Sequence, residues 1–458
     1  MTDIDRLATG EVTSSALVEQ CLARIEAVDG RVKAFVTVTP ELAREQAAAA
    51  DAARAEGRSL GVLHGLPVGL KDNIDTAGIL TTNGSGHFLD RIPTQDATVW
   101  TRLRDAGAVL VGKLTMHEVA FGGTSQNEWT GPCRNPWDLN RIPGGSSGGS
   151  GAAVAADEVP VSLGTDTGGS VRIPGSVNGV TGIRPTFGRV PVRGVCALSA
   201  SLDTCGPLAR TALDVARLLD VISGYDPDDP ISEQAPGGPL RSCAEGIDAG
   251  VAGLRIGVPT NFFWDECDPE VAALNRAAIQ QLAALGADVV EIEVPDAEKG
   301  HAWVVTVTRS EAMATHGARL AAAPEKFSSE VARRLRTAEG ISGADYAEAR
   351  QAGREFARSF AKLFDTIDVL VHPNNSIPAP LAEDSGDIIH TTHLITRNTY
   401  ASSIALVPSL SAPCGFTAAG LPVGMQLTSA RWRDDLPLRA AHAYQQVTDW
   451  HLRRAPLA

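Results

Sequence analysis

Helical and strand-like hydrophobic patterns alternate along this chain. Thr39-Pro40-Glu41 places a capping residue, a proline and an acid in their preferred order, and the alanine-rich helix that follows is predicted to end near Gly57. Asp268-Pro269-Glu270 repeats that order and predicts a helix reaching about Gly286. The alternation of these helices with short apolar runs predicts an α/β fold around a mostly buried sheet.

Several short apolar runs are predicted to be the strands of that sheet. Residues 66–70 and 159–163 are strand-like, and each precedes a segment rich in polar residues or glycine. Residues 287–292 follow the second helix directly. Residues 368–371 follow an amphipathic helix predicted over 346–364. These helix-to-strand steps are typical of a layered α/β protein.

Residues 225–250 are rich in proline, glycine and acids, which fits either a domain linker or a long surface excursion. Because the chain shows no tandem repeat or low-complexity tail, we predict one domain over residues 1–458. Residues 300–400 are expected to be a variable region that contributes to a substrate pocket.

Charge and cysteine usage narrow the functional classes. The net charge of −14 predicts no direct partnership with nucleic acid, since phosphate binding requires a basic surface. No apolar run has membrane-spanning length, so no membrane partner is expected. The seven scattered cysteines form no CxxC motif, which argues against a disulfide framework or a structural metal and favours a cytoplasmic location.

Glycine is concentrated in two segments that are candidates for chemistry. Residues 144–151 read GGSSGGSG ahead of a helix-prone run, and residues 164–174 read GTDTGGSVRIP. Such loops bring several main-chain N–H groups to one point, where they can hold an anion or an oxyanion. They fit simple turns, a phosphate loop or an acyl-transfer site, but the phosphate loop lacks its Gly-Lys-Ser/Thr ending.

A GxSxG match at residues 144–148 leaves open an α/β-hydrolase elbow with Ser146 as nucleophile. That fold requires an acid and then a histidine further along the chain. The downstream histidines are His372, His390, His393, His442 and His451. Nothing in the sequence distinguishes one of them as a catalytic base.

Four ordered motifs together resemble the amidase signature family. They are GLPVGLKDNID, which ends at Asp75, GPCRNPWDLNRIPGGSSGGSGAAVAA (131–156), LGTDTGGSVRIP (163–174) and GVTGIRPTFGRV (179–190). The similarity continues into residues 101–123 and 406–427, so it covers nearly the whole chain. The resemblance implies a large mixed β-sheet covered by helices on both faces, and a serine hydrolase that needs no cofactor and no metal.

The family's Ser–cis-Ser–Lys triad has a match at each position. The resemblance assigns Lys71 as the base, Ser146 as the relay and Ser170 as the nucleophile. A lysine accepts a proton only when it is neutral, so Lys71 is expected to be desolvated, and the apolar run before it would bury its stem.

The same resemblance implies supporting roles around the nucleophile. The main-chain N–H groups of Thr167, Gly168, Gly169 and Ser170 would form the oxyanion hole. Ser147 is expected to hydrogen-bond the lysine. Asp166 and Arg172, which flank the nucleophile, are interpreted as a structural ion pair.

A candidate substrate-binding wall is assigned to one short segment, which comprises Ala120, Phe121, Gly122, Gly123 and Thr124. Phe121 fits plain core equally well. Thr396, Arg397, Asn398 and Tyr400 fit either a substrate contact or a solvated helix.

The family includes free-standing amidases and the glutamine-hydrolysing subunit of a tRNA-dependent amidotransferase. Members of the second kind carry an acid upstream of the late Gly-Leu-Pro segment to grip the amino acid, whereas residues 388–410 contain no Asp or Glu. We therefore expect a small neutral amide, anilide or carbamate (urethane) as substrate, in a monomer or homodimer. Glutamine hydrolysis is the alternative.

Overall fold

A computed structural model describes residues 2–58, 61–383 and 388–457, without the side chains of 388–391. Its strands are β1 Phe35–Val38, β2 Pro67–Lys71, β3 Val109–Leu114, β4 Val161–Asp166, β5 Thr181–Arg184, β6 Thr204–Ala209, β7 Arg255–Pro259, β8 Asp288–Ile292, β9 Val369–Pro373, β10 Ser409–Phe416 and β11 Pro422–Thr428. Its helices are α1 Asp3–Thr9, α2 Ser14–Val32, α3 Pro40–Ala55, α4 Thr98–Asp105, α5 Gly148–Ala155, α6 Arg172–Asn178, α7 Ala212–Ile222, α8 Pro269–Ala284, α9 Gly300–Ala322, α10 Ser329–Arg336, α11 Gly343–Leu363, α12 Ile388–Thr396, α13 Tyr400–Ile404 and α14 Asp435–Gln445.

The described strands form a single mixed sheet. Its 11 strands follow the order β1-β3-β2-β4-β6-β5-β10-β11-β9-β7-β8. Strand β2 runs parallel to both β3 and β4, whereas β6, β5, β10 and β11 are joined by antiparallel pairing. The large mixed sheet expected from the sequence is confirmed.

Helices pack against both faces of this sheet. Alternate residues of a strand point to opposite faces, and on β3 the side chains of Val109 and Val111 join one apolar cluster while that of Leu110 joins another. The first cluster contains residues of α2, α3 and α5, and the second contains residues of α4 and α7. The α/β/α layering is therefore confirmed.

The predicted helices are present with small shifts at their ends. Helix α8 begins directly after Asp268, whose side chain accepts hydrogen bonds from the main-chain N–H groups of Glu270 and Val271, as its capping sequence predicts. Helix α3 also begins at its proline, but the Thr39 side chain makes no capping hydrogen bond. Strand β8 departs from the expectation of burial, since Val289 and Val290 are 37% and 42% exposed at the sheet edge.

Residues 225–250 lie between helix α7 and strand β7. The nearest strands on either side, β6 and β7, belong to the same sheet. The one-domain organisation over 1–458 stays a prediction. None of the helices in the described ranges is both long and apolar enough to cross a membrane.

Candidate active site

Lys71 ends strand β2, an interior strand that is third from one edge of the sheet. Its Nζ donates to the Oγ of Ser146 at 2.8 Å and to the Oγ1 of Thr165 at 2.7 Å. Leu70 pairs with Leu163 in the parallel ladder of β2 and β4, which brings the carboxyl ends of both strands together. The sheet thus places the Thr165 hydroxyl beside the Lys71 amine.

The Lys71 amine is shielded from water. The residue is 0% exposed, and burial lowers its pKa from 10.5 to about 7, with Asp203 opposing the shift. Desolvation penalises the ammonium form because an apolar surrounding replaces its hydration shell. The lysine expected to be desolvated is therefore buried in the structure.

Ser146 follows a cis peptide bond between Gly145 and Ser146. Its backbone carbonyl accepts a hydrogen bond from the N–H of His117 at 3.0 Å. A Cβ at Gly145 would lie 2.8 Å from the carbonyl carbon of Gly123, so only glycine fits where this loop meets the pocket wall. The loop therefore fixes the Ser146 hydroxyl against Lys71.

Ser147 differs from its predicted role. Its Oγ donates to the carbonyl of Thr165 at 3.0 Å and accepts from the Thr165 N–H at 3.2 Å, and it makes no hydrogen bond to Lys71. Thr165 instead provides the second hydroxyl for the lysine, and it also accepts from Asn73 Nδ2 at 3.2 Å. Ser147 is thus linked to Lys71 indirectly, through Thr165.

Ser170 lies between β4 and α6 and is partly exposed. Its backbone carbonyl accepts a hydrogen bond from the N–H of Ser147 at 3.2 Å. This bond connects the loop between β4 and α6 to the glycine-rich loop that precedes α5. No hydrogen bond joins the hydroxyls of Ser146 and Ser170 in this structure. Catalytic hydrogen bonds are commonly long before substrate binds, so this arrangement is compatible with a relay.

The predicted oxyanion hole needs one correction. The N–H of Gly169 donates to Asp166 Oδ1 at 2.8 Å and is therefore already occupied. The N–H groups of Thr167, Gly168 and Ser170 have no acceptor within the described part of the chain. These three remain available to a substrate oxygen.

Asp166 and Arg172 form a buried ion pair. Both side chains are 0% exposed, and their closest atoms are 2.9 Å apart. Arg184 also contacts Asp166, at 3.2 Å. Although burial alone would raise the pKa of Asp166, the two guanidinium groups and nearby N–H donors hold it well below its usual range. The nucleophile loop, which comprises residues 167–171 and includes the predicted nucleophile Ser170, is thus anchored by a charged carboxylate.

Asp203 is a site residue that the sequence analysis missed. It accepts from the hydroxyl of Thr167 at 2.5 Å and from the N–H groups of Leu198 and Ser199 at 2.8 and 3.0 Å. Burial raises the pKa of Asp203 to about 6. This carboxyl group connects the nucleophile loop to the segment that carries Leu198, a residue of the pocket wall.

Ser170 opens onto a cavity of about 480 Å³. Of the predicted wall, Ala120, Phe121, Gly122 and Gly123 line this cavity. Thr124 does not line it, because its hydroxyl faces the Nδ1 of buried His117 at 3.3 Å. Phe121 is both core and wall, since it is 7% exposed and belongs to an apolar cluster.

Residues 300–400 supply much of the remaining cavity lining. Thr396 and Tyr400 line the cavity. Arg397 and Asn398 do not: the former is buried and donates to the carbonyl of Asp265, and the latter donates to the carbonyl of Pro373 at 2.9 Å. Neither side chain lies on a solvated helix face.

Three arginines also line the cavity, namely Arg309 on α9 and Arg333 and Arg334 on α10. The described lining residues include no Asp or Glu. No sequence motif marked these arginines, because they converge only when α9 and α10 pack beside the nucleophile loop. The cavity therefore carries an excess of positive charge, whereas the substrate expected from the sequence was a small neutral amide, anilide or carbamate.

The structure does not support the α/β-hydrolase alternative. Ser146 is hydrogen-bonded to a lysine, and among the described residues no hydrogen bond joins a histidine ring to Ser146 or Ser170. The ring of His372 instead contacts the Pro373 carbonyl at 2.9 Å and Gln426 at 3.2 Å. The side chain of His390 lies outside the described residues.

Comparisons with known proteins agree with this arrangement. The sequence profile of the family described as Amidase matches residues 16–438. A subunit of the glutamyl-tRNA(Gln) amidotransferase of Moorella thermoacetica is 41% identical, and the alignment covers 99% of this chain and 97% of the relative.

Two solved structures share the whole fold. One, described as a vestigial protein complex that reveals the origins of an s-triazine catabolic enzyme, is 37% identical, with a TM-score of 0.91 and 98% of each chain covered. A 6-aminohexanoate cyclic dimer hydrolase complexed with substrate is 29% identical, with a TM-score of 0.89 and coverage of 99% of this chain and 98% of the other.

These relatives correct the expectation about partners. The prediction of a small-molecule substrate as sole partner, with no nucleic acid, is contradicted by curated relatives that are subunits of a tRNA-linked amidotransferase. The net charge of one chain predicts only whether that chain itself contacts phosphate groups. It does not predict what an assembly binds when that chain is one of its components.

The relatives also support the glutamine-hydrolysing alternative better than a free-standing amidase. The family profile, whole-chain similarity and a buried lysine bonded to a cis-linked serine lead to one assignment. The chain belongs to the amidase signature family and is an enzyme that acts on carbon–nitrogen bonds of non-peptide amides.

Proposed function

We propose that this chain hydrolyses the amide of a small carboxylate-bearing substrate through an acyl-enzyme on Ser170. The observation that carries this proposal is the hydrogen bond from the buried Lys71 amine to Ser146, directly behind a cavity onto which Ser170 opens. A neutral buried amine is a proton acceptor, and a serine beside an accessible cavity is a candidate nucleophile.

The proposed first half-reaction forms an ester and releases an amine. The Ser170 oxygen attacks the amide carbon, its proton passes to Ser146, and the Ser146 proton passes to Lys71. The oxygen of the tetrahedral intermediate accepts hydrogen bonds from the unoccupied N–H groups of Thr167 and Gly168. The proton returns through the same relay to the leaving nitrogen as the carbon–nitrogen bond breaks.

The second half-reaction uses water in place of the serine. Water gives a proton to the relay as it attacks the ester, and the relay returns a proton to the Ser170 oxygen as the acid leaves. Each half-reaction leaves Lys71 neutral, so the cycle closes. The net reaction is amide plus water giving carboxylic acid plus amine.

Glutamine is the first candidate substrate. The curated relatives are amidotransferase subunits, and we propose that this chain likewise acts as the amide-hydrolysing component of an assembly. The cavity of about 480 Å³ accommodates a molecule of this size. Its excess positive charge suits the carboxylate of the amino acid, because a guanidinium group matches a carboxylate in charge and geometry.

A second candidate is a carboxylate-bearing amide that lacks the amino group. This candidate is supported by the cavity, whose described lining residues offer no acid to pair with an ammonium group. One solved relative, 37% identical, is described in connection with s-triazine catabolism and not with an amidotransferase.

The test measures ammonia release from glutamine and from glutaramate, which is glutamine without its amino group. We expect turnover of at least one of them by the wild type, its loss in Ser170→Ala, and its retention in Ser232→Ala, which changes a serine outside the cavity. A higher kcat/KM for glutamine selects the first candidate, and a higher value for glutaramate selects the second. Full activity in Ser170→Ala would overturn the mechanism.

A further inference from the structure

The two partly buried arginines of the cavity differ in their pairing. Arg334 is neutralised, since its Nη2 lies 2.7 Å from Oε1 of Glu330, and its Nε donates to the same oxygen at 2.9 Å. The other oxygen of Glu330 lies 3.7 Å from Nε2 of His117. Arg334 therefore already has its counter-ion in the protein.

Arg309 has no such counter-ion. Its guanidinium group makes no hydrogen bond or ion pair with another residue of the described ranges, although the residue is partly buried. Desolvation, and then the nearby charge of Arg334, lower the pKa of Arg309. Both effects oppose the charged form, and an anion placed in the cavity would relieve both.

The position of Arg309 gives such an anion a defined place. Arg309 lies on α9 one turn after Val305 and next to Thr308, and all three line the cavity that Ser170 also lines. The valine and threonine provide an apolar and weakly polar wall beside the guanidinium group. The third arginine, Arg333, is exposed, so water screens its charge.

We propose that Arg309 is the specificity-determining residue of this enzyme and binds the carboxylate of the substrate. This inference rests on the proposed amide hydrolysis and adds to it the group that selects the substrate. It restricts the substrate to small amides with a carboxylate a few bonds from the scissile carbonyl. Neutral amides of the same length would lack the counter-ion that Arg309 needs.

The test measures binding by calorimetry to Ser170→Ala, which prevents turnover. Glutaramate and pentanamide have the same chain length, and only the first carries a carboxylate. We expect glutaramate to bind at least about tenfold more tightly than pentanamide, and Arg309→Gln to remove most of that preference. Arg309→Lys should keep part of the preference, because the positive charge remains.

Arg333→Gln is the matched control, since it removes the same charge from the exposed part of the cavity. We expect it to weaken glutaramate binding by less than about threefold, as exposed charges contribute little. Equal binding of glutaramate and pentanamide would overturn the inference. So would equal weakening of both ligands by Arg309→Gln, or an effect of Arg333→Gln as large as that of Arg309→Gln.

Failure of the proposed function would look different. In that case the wild type would release no ammonia from any amide and would not react with a fluorophosphonate. If the wild type reacts with the fluorophosphonate at Ser170 but glutaramate and pentanamide bind equally, only the role of Arg309 is contradicted. Thermal unfolding of each variant verifies that the substitutions leave the fold intact.

Discussion

The Nζ of Lys71 lies 2.8 Å from the Oγ of Ser146, and neither residue is exposed to solvent. This contact joins the end of the interior strand β2 to a glycine-rich loop that precedes helix α5. We expect a lysine in that position to act as a proton acceptor rather than as a surface charge, because burial makes its neutral form accessible near neutral pH.

The pH dependence of activity follows from this burial. Lys71 must be neutral to accept a proton, and its pKa is lowered from 10.5 to about 7. We therefore expect kcat/KM to rise as pH increases through about 7 and then to level off. A rise centred near the ordinary pKa of lysine would contradict the account.

Replacing Lys71 by methionine keeps much of the side-chain volume and removes the amine. We expect activity to fall by roughly 10²–10⁴-fold, which is typical for loss of a general base. Steady-state kinetics measure the loss, and circular dichroism checks the fold. A Lys71→Met enzyme with wild-type kcat would exclude the amine from the relay.

Thr165→Val tests the second hydroxyl beside the lysine. The Thr165 oxygen accepts from Nζ at 2.7 Å, so removing it should disfavour the ammonium form and move the rise in kcat/KM to lower pH by about one unit. Ser162→Ala, which alters a buried serine of the same strand, is the control. An unchanged pH profile in Thr165→Val would show that this hydroxyl does not influence the amine.

Gly168→Ala tests the close packing beside the nucleophile. An added Cβ would lie 2.6 Å from Cε1 of Tyr400, whereas one at Gly123 would lie 3.3 Å from the flexible Cδ1 of Ile395. We expect kcat/KM to fall by about tenfold or more in Gly168→Ala, through displacement of the loop or the ring. Gly123→Ala should lose much less. Equal losses would contradict this explanation.

The buried ion pair predicts a stability effect. Arg172→Met removes one of the cationic partners of the Asp166 carboxylate, which is 0% exposed. Such a change typically lowers the free energy of unfolding by about 3–5 kcal/mol. Urea unfolding measures it. Arg44→Met breaks an exposed pair with Glu19 and should change the free energy of unfolding little. Similar effects of both substitutions would contradict the anchoring role of Asp166.

The sequence allowed the chemistry to be predicted better than its surroundings. Lys71, Ser146 and Ser170 stand in motifs whose order is specific, so their resemblance to a family identified them before any fold was known. The role of Thr165 was missed, although it lies in one of those motifs, because only the parallel pairing of β2 and β4 places it beside Lys71.

The charge of the cavity had no local signal. Arg309 and Arg334 lie on amphipathic helices, where an arginine is ordinarily solvated, and only the packing of α9 and α10 directs both toward Ser170. The exposure of β8 was missed for a similar reason. Its apolar residues predict burial, but whether a strand lies at an edge depends on sheet order, which the pattern alone does not give.

The central claim is that Ser170 attacks and that Lys71 activates it through Ser146. Labelling with a fluorophosphonate, followed by peptide mass mapping over time, measures both the attacked residue and its reactivity. The account predicts an adduct on Ser170 that forms much more slowly in Lys71→Met and is absent in Ser170→Ala. An adduct on Ser146 instead, or equally fast labelling of Ser170 without the lysine, would contradict it.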